Sequence, residues 1–386
     1  MNGSALVQPD PNLIRDVMAA GGGDLKKCYQ CATCAVTCEL STDEAPFPRP
    51  QMIAAQWGLK DRLIEDPGPW LCFYCGECSK RCPRGANPGE SMMALRRYLT
   101  AQYDWTGLSR LMYRSAVWEL GVLGLVALLV IALFTLPHDF GFGLLSQYPA
   151  ALQTVMLDRF APKHIVHLAD NILAAGLGLL LLSNGWRMFR ALTRGRSIPS
   201  GTYLKALPGL LAEAATQRRW KKCADQRGGI NWVRHLVLVS GYATIFTLVV
   251  LFLPWFQVED SGLHWTSLLG YYATAVIIGS TVWMMSDRAA RRSEMHRFSH
   301  LSDWLFPILL FLTAVSGILL HIVRISGLPM ATYVTYMIHL AIAVPMLVVE
   351  VPFGKWAHLL YRPLAMYVAA AGKESCEKRM AVGERG

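Results

Sequence analysis

The stretch Cys28-Tyr29-Gln30-Cys31-Ala32-Thr33-Cys34-Ala35-Val36-Thr37-Cys38 decides the N-terminal fold, together with its near repeat Cys72-Phe73-Tyr74-Cys75-Gly76-Glu77-Cys78-Ser79-Lys80-Arg81-Cys82-Pro83. Each run places three cysteines three residues apart and a fourth four residues further on. This is the spacing of paired [4Fe–4S] clusters, in which the fourth cysteine of each run ligates the cluster of the other. Zinc sites use Cys and His in pairs, four ligands per ion, and disulfide frameworks need an oxidising compartment. Neither predicts a triple followed by a distant fourth. By the crossing rule, cluster one takes Cys28, Cys31, Cys34 and Cys82, and cluster two takes Cys72, Cys75, Cys78 and Cys38. Glu39 follows the first run where the bacterial pattern has proline. Cys223 and Cys376 lie outside both runs and read as idle thiols.

The segments around the runs predict helices. Pro46, Pro48 and Pro50 break the chain, and 51–64 reads helical. Asn87 is the expected N-cap of a helix over 89–103, with Pro88 at its first position and Glu90 closing a capping box. That helix is expected to run on past Arg96, Arg97 and Arg110 into the membrane at Ala116, fixing the clusters over the bilayer. No strand alternation appears. The reading is all-α, similar to the α-helical ferredoxin type.

The rest of the chain is membrane sequence. More than half of all residues are hydrophobic, although 1–110 has ordinary soluble composition. A bilayer crossing needs about 20 apolar residues. Six stretches qualify: 116–136, 164–185, 232–253, 265–285, 301–322 and 333–353. Three parts follow: a two-cluster domain over 1–110, a six-helix transmembrane bundle over 111–366 and a tail over 367–386. Residues 1–11 hold no apolar run, so no signal peptide is expected and the cluster domain is assigned to the cytoplasm.

Charge agrees with that orientation. The loop after span two carries Arg187, Arg190, Arg194, Arg196, Lys205, Arg218, Arg219, Lys221, Lys222 and Arg227. The loop after span four carries Arg288, Arg291, Arg292 and Arg297, whereas 256–264 has no Lys or Arg and holds Glu259 and Asp260. The positive-inside rule puts the basic loops, the N-terminal domain and the C-terminus on the cytoplasmic side of the inner membrane. The net charge of +10 is thereby explained by topology, without nucleic-acid binding.

Ionisable residues within spans are costly and functional by default, and histidine is a common axial ligand of haem. Sorted by depth, the inner end holds His235, His300 and His358, and the outer end His164, His167, His321 and His339. The reading pairs His235 with His358 for an inner b haem, and His167 with His339 for an outer one. His164 and then His321 are the alternatives to His167. His300, His264 and His296 read as surface or loop histidines. His339 and His358 stand 19 residues apart, roughly 28 Å along one helix. That nearly spans the hydrocarbon core. On a straight helix they would be about 100° out of phase, and Pro345 and Pro352 lie between them to restore it by a kink or bulge. Asp170, near His167, is a candidate proton acceptor for quinone chemistry.

Arg234-His235 through Gly241, then His339, then Pro352-Phe353-Gly354-Lys355-Trp356-Ala357-His358 resemble membrane cytochromes of the nitrate reductase gamma and heterodisulfide reductase E type. The first 110 residues resemble heterodisulfide reductase C. A fusion of the two resembles the C-subunit family of quinone-interacting membrane-bound oxidoreductases of sulfate reducers. The resemblance implies haem ligands at His235, His339 and His358. The nitrate reductase pattern has a further histidine ten residues after the first, where this chain has Ile245, so span two is called on for the fourth ligand. It also implies a quinone-reactive subunit of a multi-subunit oxidoreductase. Such a subunit links menaquinone to heterodisulfide reductase A-like flavoproteins and, through them, to adenylylsulfate (APS) reductase. The chain has no Gly-x-Gly-x-x-Gly nucleotide motif and no adjacent cysteine pair, so flavin and disulfide-reducing chemistry are assigned to partners. A bare anchor for the cluster domain and a histidine-relay transporter are the competing readings. Both predict a chain without haem.

Overall fold

The computed structural model describes residues 8–218, 228–252, 255 and 264–383. Arg219, Lys221, Lys222, Cys223, Arg227, Leu253, Phe256, Glu259 and Asp260 lie outside these residues, as does the side chain of Cys376. Among the described residues the elements are helices without strands, as the sequence predicts.

The two cysteine runs adopt the same backbone. Gln30 and Ala32 flank Cys31 at φ 71° and 68°, and Tyr74 and Gly76 flank Cys75 at 56° and 84°. A one-turn helix then carries the third cysteine of each run, over Thr33–Val36 and Glu77–Lys80. Left-handed backbone is uncommon for residues other than glycine and gathers at functional sites. Here it turns successive cysteines to one side. The predicted 51–64 helix is two pieces, Arg49–Gln56 and Lys60–Ile64. Gly58 separates them at φ +71°, where a Cβ would lie 2.5 Å from the Asp10 carbonyl.

The long helix of the cluster domain spans Pro88–Tyr103, but the capping box does not form. The Asn87 side chain donates to Asp24 at 2.5 Å, and Glu90 turns to Arg97 and Tyr74. The hydroxyl of Ser79, from the second run, instead accepts from the Gly89 N–H at 3.0 Å. The helix also stops at Tyr103 rather than running into the membrane. The Asp104 carboxylate accepts from the N–H groups of Thr106 and Ser109, both at 2.9 Å, and turns the chain. A short helix, Leu108–Arg114, follows, and Ser115 caps span one.

Six helices are long and apolar enough to cross a membrane: Ala116–Thr135, Lys163–Thr193, Gly229–Val250, Trp265–Ala289, Ser302–Ile325 and Pro329–Phe353. Spans three to six pack in sequence, and span one closes on span six. Span two touches span three, the last turn of span six at Val351–Phe353, the Lys60–Ile64 and Pro88–Tyr103 helices of the cluster domain, and the C-terminal helix His358–Gly383. Small residues set the closest approach, as in membrane bundles generally. A Cβ at Gly241 would lie 2.4 Å from Val276 and 3.2 Å from Ile277. Gly241→Leu is expected to force spans three and four apart and to cost about 1–3 kcal/mol, read as a lower thermal midpoint in detergent.

Span six is not one straight rod. After Pro345 a π-turn runs over Met346–Glu350, and the helix ends at Phe353. A tight turn over Lys355–Ala357 leads into a separate helix, His358–Gly383. His339 and His358 therefore sit on different helices, which corrects the single-helix expectation. The boundary expected between 366 and 367 falls inside that last helix. Its Tyr361, Ala365 and Val368 belong to the same buried core as Leu13, Met52, Trp70 and Leu99 of the cluster domain. One hydrophobic core thus welds the two parts together.

Candidate functional site

Two cavities open at the cysteine runs. One is lined by Cys28, Cys31, Cys34 and Cys82 with Tyr29, Arg49 and Arg84. The other is lined by Cys38, Cys72, Cys75 and Cys78 with Phe47, Tyr74 and Arg81. Each cavity draws three cysteines from one run and the last from the other. Electrostatics repeats the grouping. Burial pushes the Cys34 thiol up to about 11, and Cys28, Cys31 and Cys82 oppose its ionisation further. Burial likewise pushes Cys38 up to about 11, with Cys72 and Cys75 acting the same way. Cys78 is raised by burial, then by Cys72, Cys75, Cys38 and Cys34, so the cavities adjoin. Cys31 is exposed, and a hydrogen bond from Thr33 lowers it. Buried thiols that oppose one another's ionisation suit a cationic iron cluster, whose binding displaces their protons and offsets part of the thiolate charge. Among the described residues no three His, Cys, Asp or Glu side chains converge on a single-ion site. The cysteines surround cavities rather than a point, so the donor set fits a polynuclear cluster.

The second cavity faces the membrane domain. The Tyr74 hydroxyl donates to Glu90 at 2.5 Å and lies 3.1 Å from the Met295 carbonyl in the loop after span four. Arg96 donates to the carbonyls of Pro69, Trp70 and Cys72, holding the loop that precedes the second run. Burial lowers the Arg96 guanidinium to about 9, and the Arg362 charge adds to this. Arg97 crosses between the domains. It donates to Glu90 and to Asp303 at the head of span five, both at 2.9 Å, and to the Ala20 carbonyl at 2.8 Å. Asp303 also accepts from Lys355 at 2.6 Å. Sequence reading missed this junction. Its only signals were an Asp at the start of an apolar span and a Lys at the end of another.

That junction explains the Pro352–His358 motif. A Cβ on Gly354 would lie 2.2 Å from the Glu350 carboxylate, so glycine lets the turn close over it. Lys355 reaches Asp303, and its carbonyl receives His358 Nδ1 at 2.5 Å. Trp356 packs against Tyr242 and Phe306 of spans three and five. The turn thereby presents the imidazole in one orientation. Burial pushes His358 down to about 3, with the His235 ring and the Lys355 and Arg362 charges acting the same way. It is neutral at ordinary pH, the form that binds a metal.

The structure brings His235 and His358 within electrostatic reach of each other, and the Nδ1 of His235 is paired with Gln217. Arg362, four residues after His358, stands over the Phe73 ring of the second cysteine run at 5.9 Å, so one side chain reaches from the His358 helix to that run. At the far end, His339 Nδ1 pairs with Ser316 Oγ at 2.9 Å, and Gly317 lets span five approach the ring. His167 is half-buried on span two and has Asp170 in reach. Among the described residues no hydrogen bond or ring contact links His167 to His339. His164 is exposed, and His321 Nε2 is engaged by the Tyr271 hydroxyl at 2.6 Å. His264 and His300 each cap the helix that follows them. His296 is half-buried in the loop after span four. An Nδ1 anchored on the protein fixes tautomer and orientation and leaves Nε2 for a metal. On that ground His235, His339 and His358 could each hold a haem iron. If His339 holds a haem iron, Ser316→Ala is expected to weaken haem retention about 10–100-fold, read by haem titration of the stripped protein.

Comparison with known proteins agrees with this division. The 4Fe-4S dicluster domain family matches residues 24–86. A protein of Archaeoglobus profundus that is named as like the heterodisulfide reductase C-subunit is 38% identical over 84 residues, covering 22% of this chain and 45% of that protein. The C-subunit of the H(2):CoB-CoM heterodisulfide,ferredoxin reductase of Methanothermobacter thermautotrophicus is 40% identical over 90 residues, covering 20% and 48%. The E-subunit of the dihydromethanophenazine:CoB–CoM heterodisulfide reductase of Methanosarcina thermophila is 26% identical over 196 residues, covering 45% and 70%. The chain thus spans just under half the length of the first two relatives. No solved structure matches. The chain thus joins a cluster-binding domain and apolar helices in one polypeptide, and is similar to heterodisulfide reductase subunits of both the C and the E kind.

Proposed function

We propose that the chain links the menaquinone pool to heterodisulfide reductase A-like flavoprotein subunits, and through them serves APS reductase in sulfate respiration. The observation that carries this is the packing of the second cysteine run on the turn and helix that bear His358: Trp70 and Cys72 share a core with Ala357 and Tyr361, and Arg362 stands over Phe73. In this reading Cys28, Cys31, Cys34 and Cys82 hold one [4Fe–4S] cluster, and Cys72, Cys75, Cys78 and Cys38 the other. His235 and His358 hold an inner b haem, and His167 and His339 an outer one. When bound, these groups pass single electrons between quinol and partner.

The side chains have distinct tasks. Arg97, Asp303 and Lys355 clamp the second cavity over the His358 turn. The exposed face at Tyr29, Cys31 and Val36 suits a partner. At the far end Asp170 accepts a proton from quinol, with His164 as the alternative. The positive-inside charge pattern supports a cytoplasmic cluster domain and an inner-membrane location.

The test is a pyridine haemochrome assay on the purified chain, followed by anaerobic addition of a menaquinol analogue. The expected result is a pair of b haems reduced by the quinol. A preparation rich in iron and sulfide but without haem would instead support the bare-anchor reading.

A further inference from the structure

Two carboxylates lie inside the bundle with no counter-charge bound to them among the described residues. Glu119, in the first turn of span one, is 0% exposed, and neither of its oxygens has a hydrogen-bond partner there. Glu350, at the end of the span-six π-turn, is also 0% exposed. One of its oxygens accepts from the Lys355 backbone N–H at 3.3 Å, and the other has no partner among the described residues. Span one packs on the π-turn, with Leu123 and Val349 in one buried cluster, and this brings the two carboxylates within electrostatic reach of each other.

The other groups facing the pair belong to elements packed around it. They are Tyr113 below span one, Arg97 of the cluster domain, Asp303 of span five and Lys355 after span six. Burial, then Glu350, raises the Tyr113 hydroxyl far out of the ordinary range, so it stays neutral. The nearby His300 ring meets Tyr113 edge-on and is pushed down to about 4, chiefly by burial, so it too is neutral. Asp303 differs from the pair because Arg97, Lys355 and Arg288 all surround it. Those cations are committed to Asp303, and Arg97 to Glu90 as well. Two buried like charges without a bound cation are too costly to coexist, and a shared proton relieves them. The π-turn adds to the case, since such turns occur in helices mostly at functional sites.

We propose that Glu119 and Glu350 form a proton-uptake site that compensates the charge of an electron arriving at the cluster end of the membrane domain. One carboxylate takes one proton from water on the cluster side and becomes a carboxylic acid. The electron comes from quinol. When the electron leaves for the partner, the proton returns to water. The inference rests on haem binding by His235 and His358 as proposed above.

The experiment is a redox titration of full-length protein in membranes at several pH values, with haem counted first. The expected result is a midpoint potential of one haem that falls with rising pH by up to about 59 mV per unit, the one-electron equivalent of a tenfold change in proton concentration. Glu119→Gln and Glu350→Gln flatten that slope and leave the other haem's behaviour unchanged, whereas Glu350→Asp retains it. Redox-difference infrared spectra of wild-type protein gain a protonated-carboxyl band on reduction, which the Gln variants lack. Haem-loaded wild-type protein with flat potentials and no such band overturns this inference alone. Protein without haem overturns the functional reading and this inference with it.

Discussion

Replacing Cys82 with serine is expected to remove the cluster of the first run and leave that of the second. Iron and acid-labile sulfide should fall by about half, with one of two paramagnetic signals of the reduced protein lost. The reason lies in the cavity linings. Cys82 follows the second run in sequence, yet it lines the cavity of Cys28, Cys31 and Cys34. It also acts electrostatically on Cys28 and Cys34. Cys38→Ser is the mirror experiment, because Cys38 lines the cavity of Cys72, Cys75 and Cys78. The two variants should lose different signals. If Cys82→Ser and Cys78→Ser lost the same one, the crossing would be wrong. Under the proposed function, and because the second cavity adjoins the membrane domain, Cys38→Ser should also stop haem-to-partner transfer, with quinol still reducing the haems.

Arg97→Ala is expected to be the most damaging single change outside the ligands. Arg97 and Asp303 are each about 6% exposed. Burial opposes the Arg97 charge, but Asp303 and Glu90 outweigh it and raise the guanidinium. Truncation leaves two buried carboxylates facing each other with only Lys355 and the more distant Arg288 in place. Breaking one partner out of such a buried network costs about 3–5 kcal/mol. The result should be a lower thermal midpoint and new proteolytic cleavage near Asp104–Gly107, where the chain turns between the domains. Arg97→Lys should recover only part of the loss, since one ammonium replaces a fork that meets Glu90, Asp303 and the Ala20 carbonyl together. Gly21 enforces the same fit, because a Cβ there would lie 2.6 Å from the Arg97 guanidinium.

These contacts mark how far a reading of the residues could go. The cysteine runs were legible because three ligands of each cluster come from one short loop, whose spacing is a local property. The spans were legible because a bilayer demands length and apolarity that composition displays directly. The capping box was misread because Asn87 and Glu90 have partners distant in sequence, Asp24 and Arg97, that outcompete the local motif. The continuous helix into the membrane failed for a similar reason, as Asp104 accepts from N–H groups of the turn that follows it.

The amino-acid sequence by itself determined the all-helical class, the two cysteine runs, six apolar spans and a set of histidines at two depths. All of these depend on chemistry within a few residues or within one helix. Tertiary structure decided which histidines meet, where span six bends, and how Arg97, Asp303 and Lys355 join the domains. It also left Glu119 and Glu350 with no cation bound to them among the described residues. Such outcomes depend on charges and side chains brought together from distant helices, and no local pattern records whether a buried charge finds its partner.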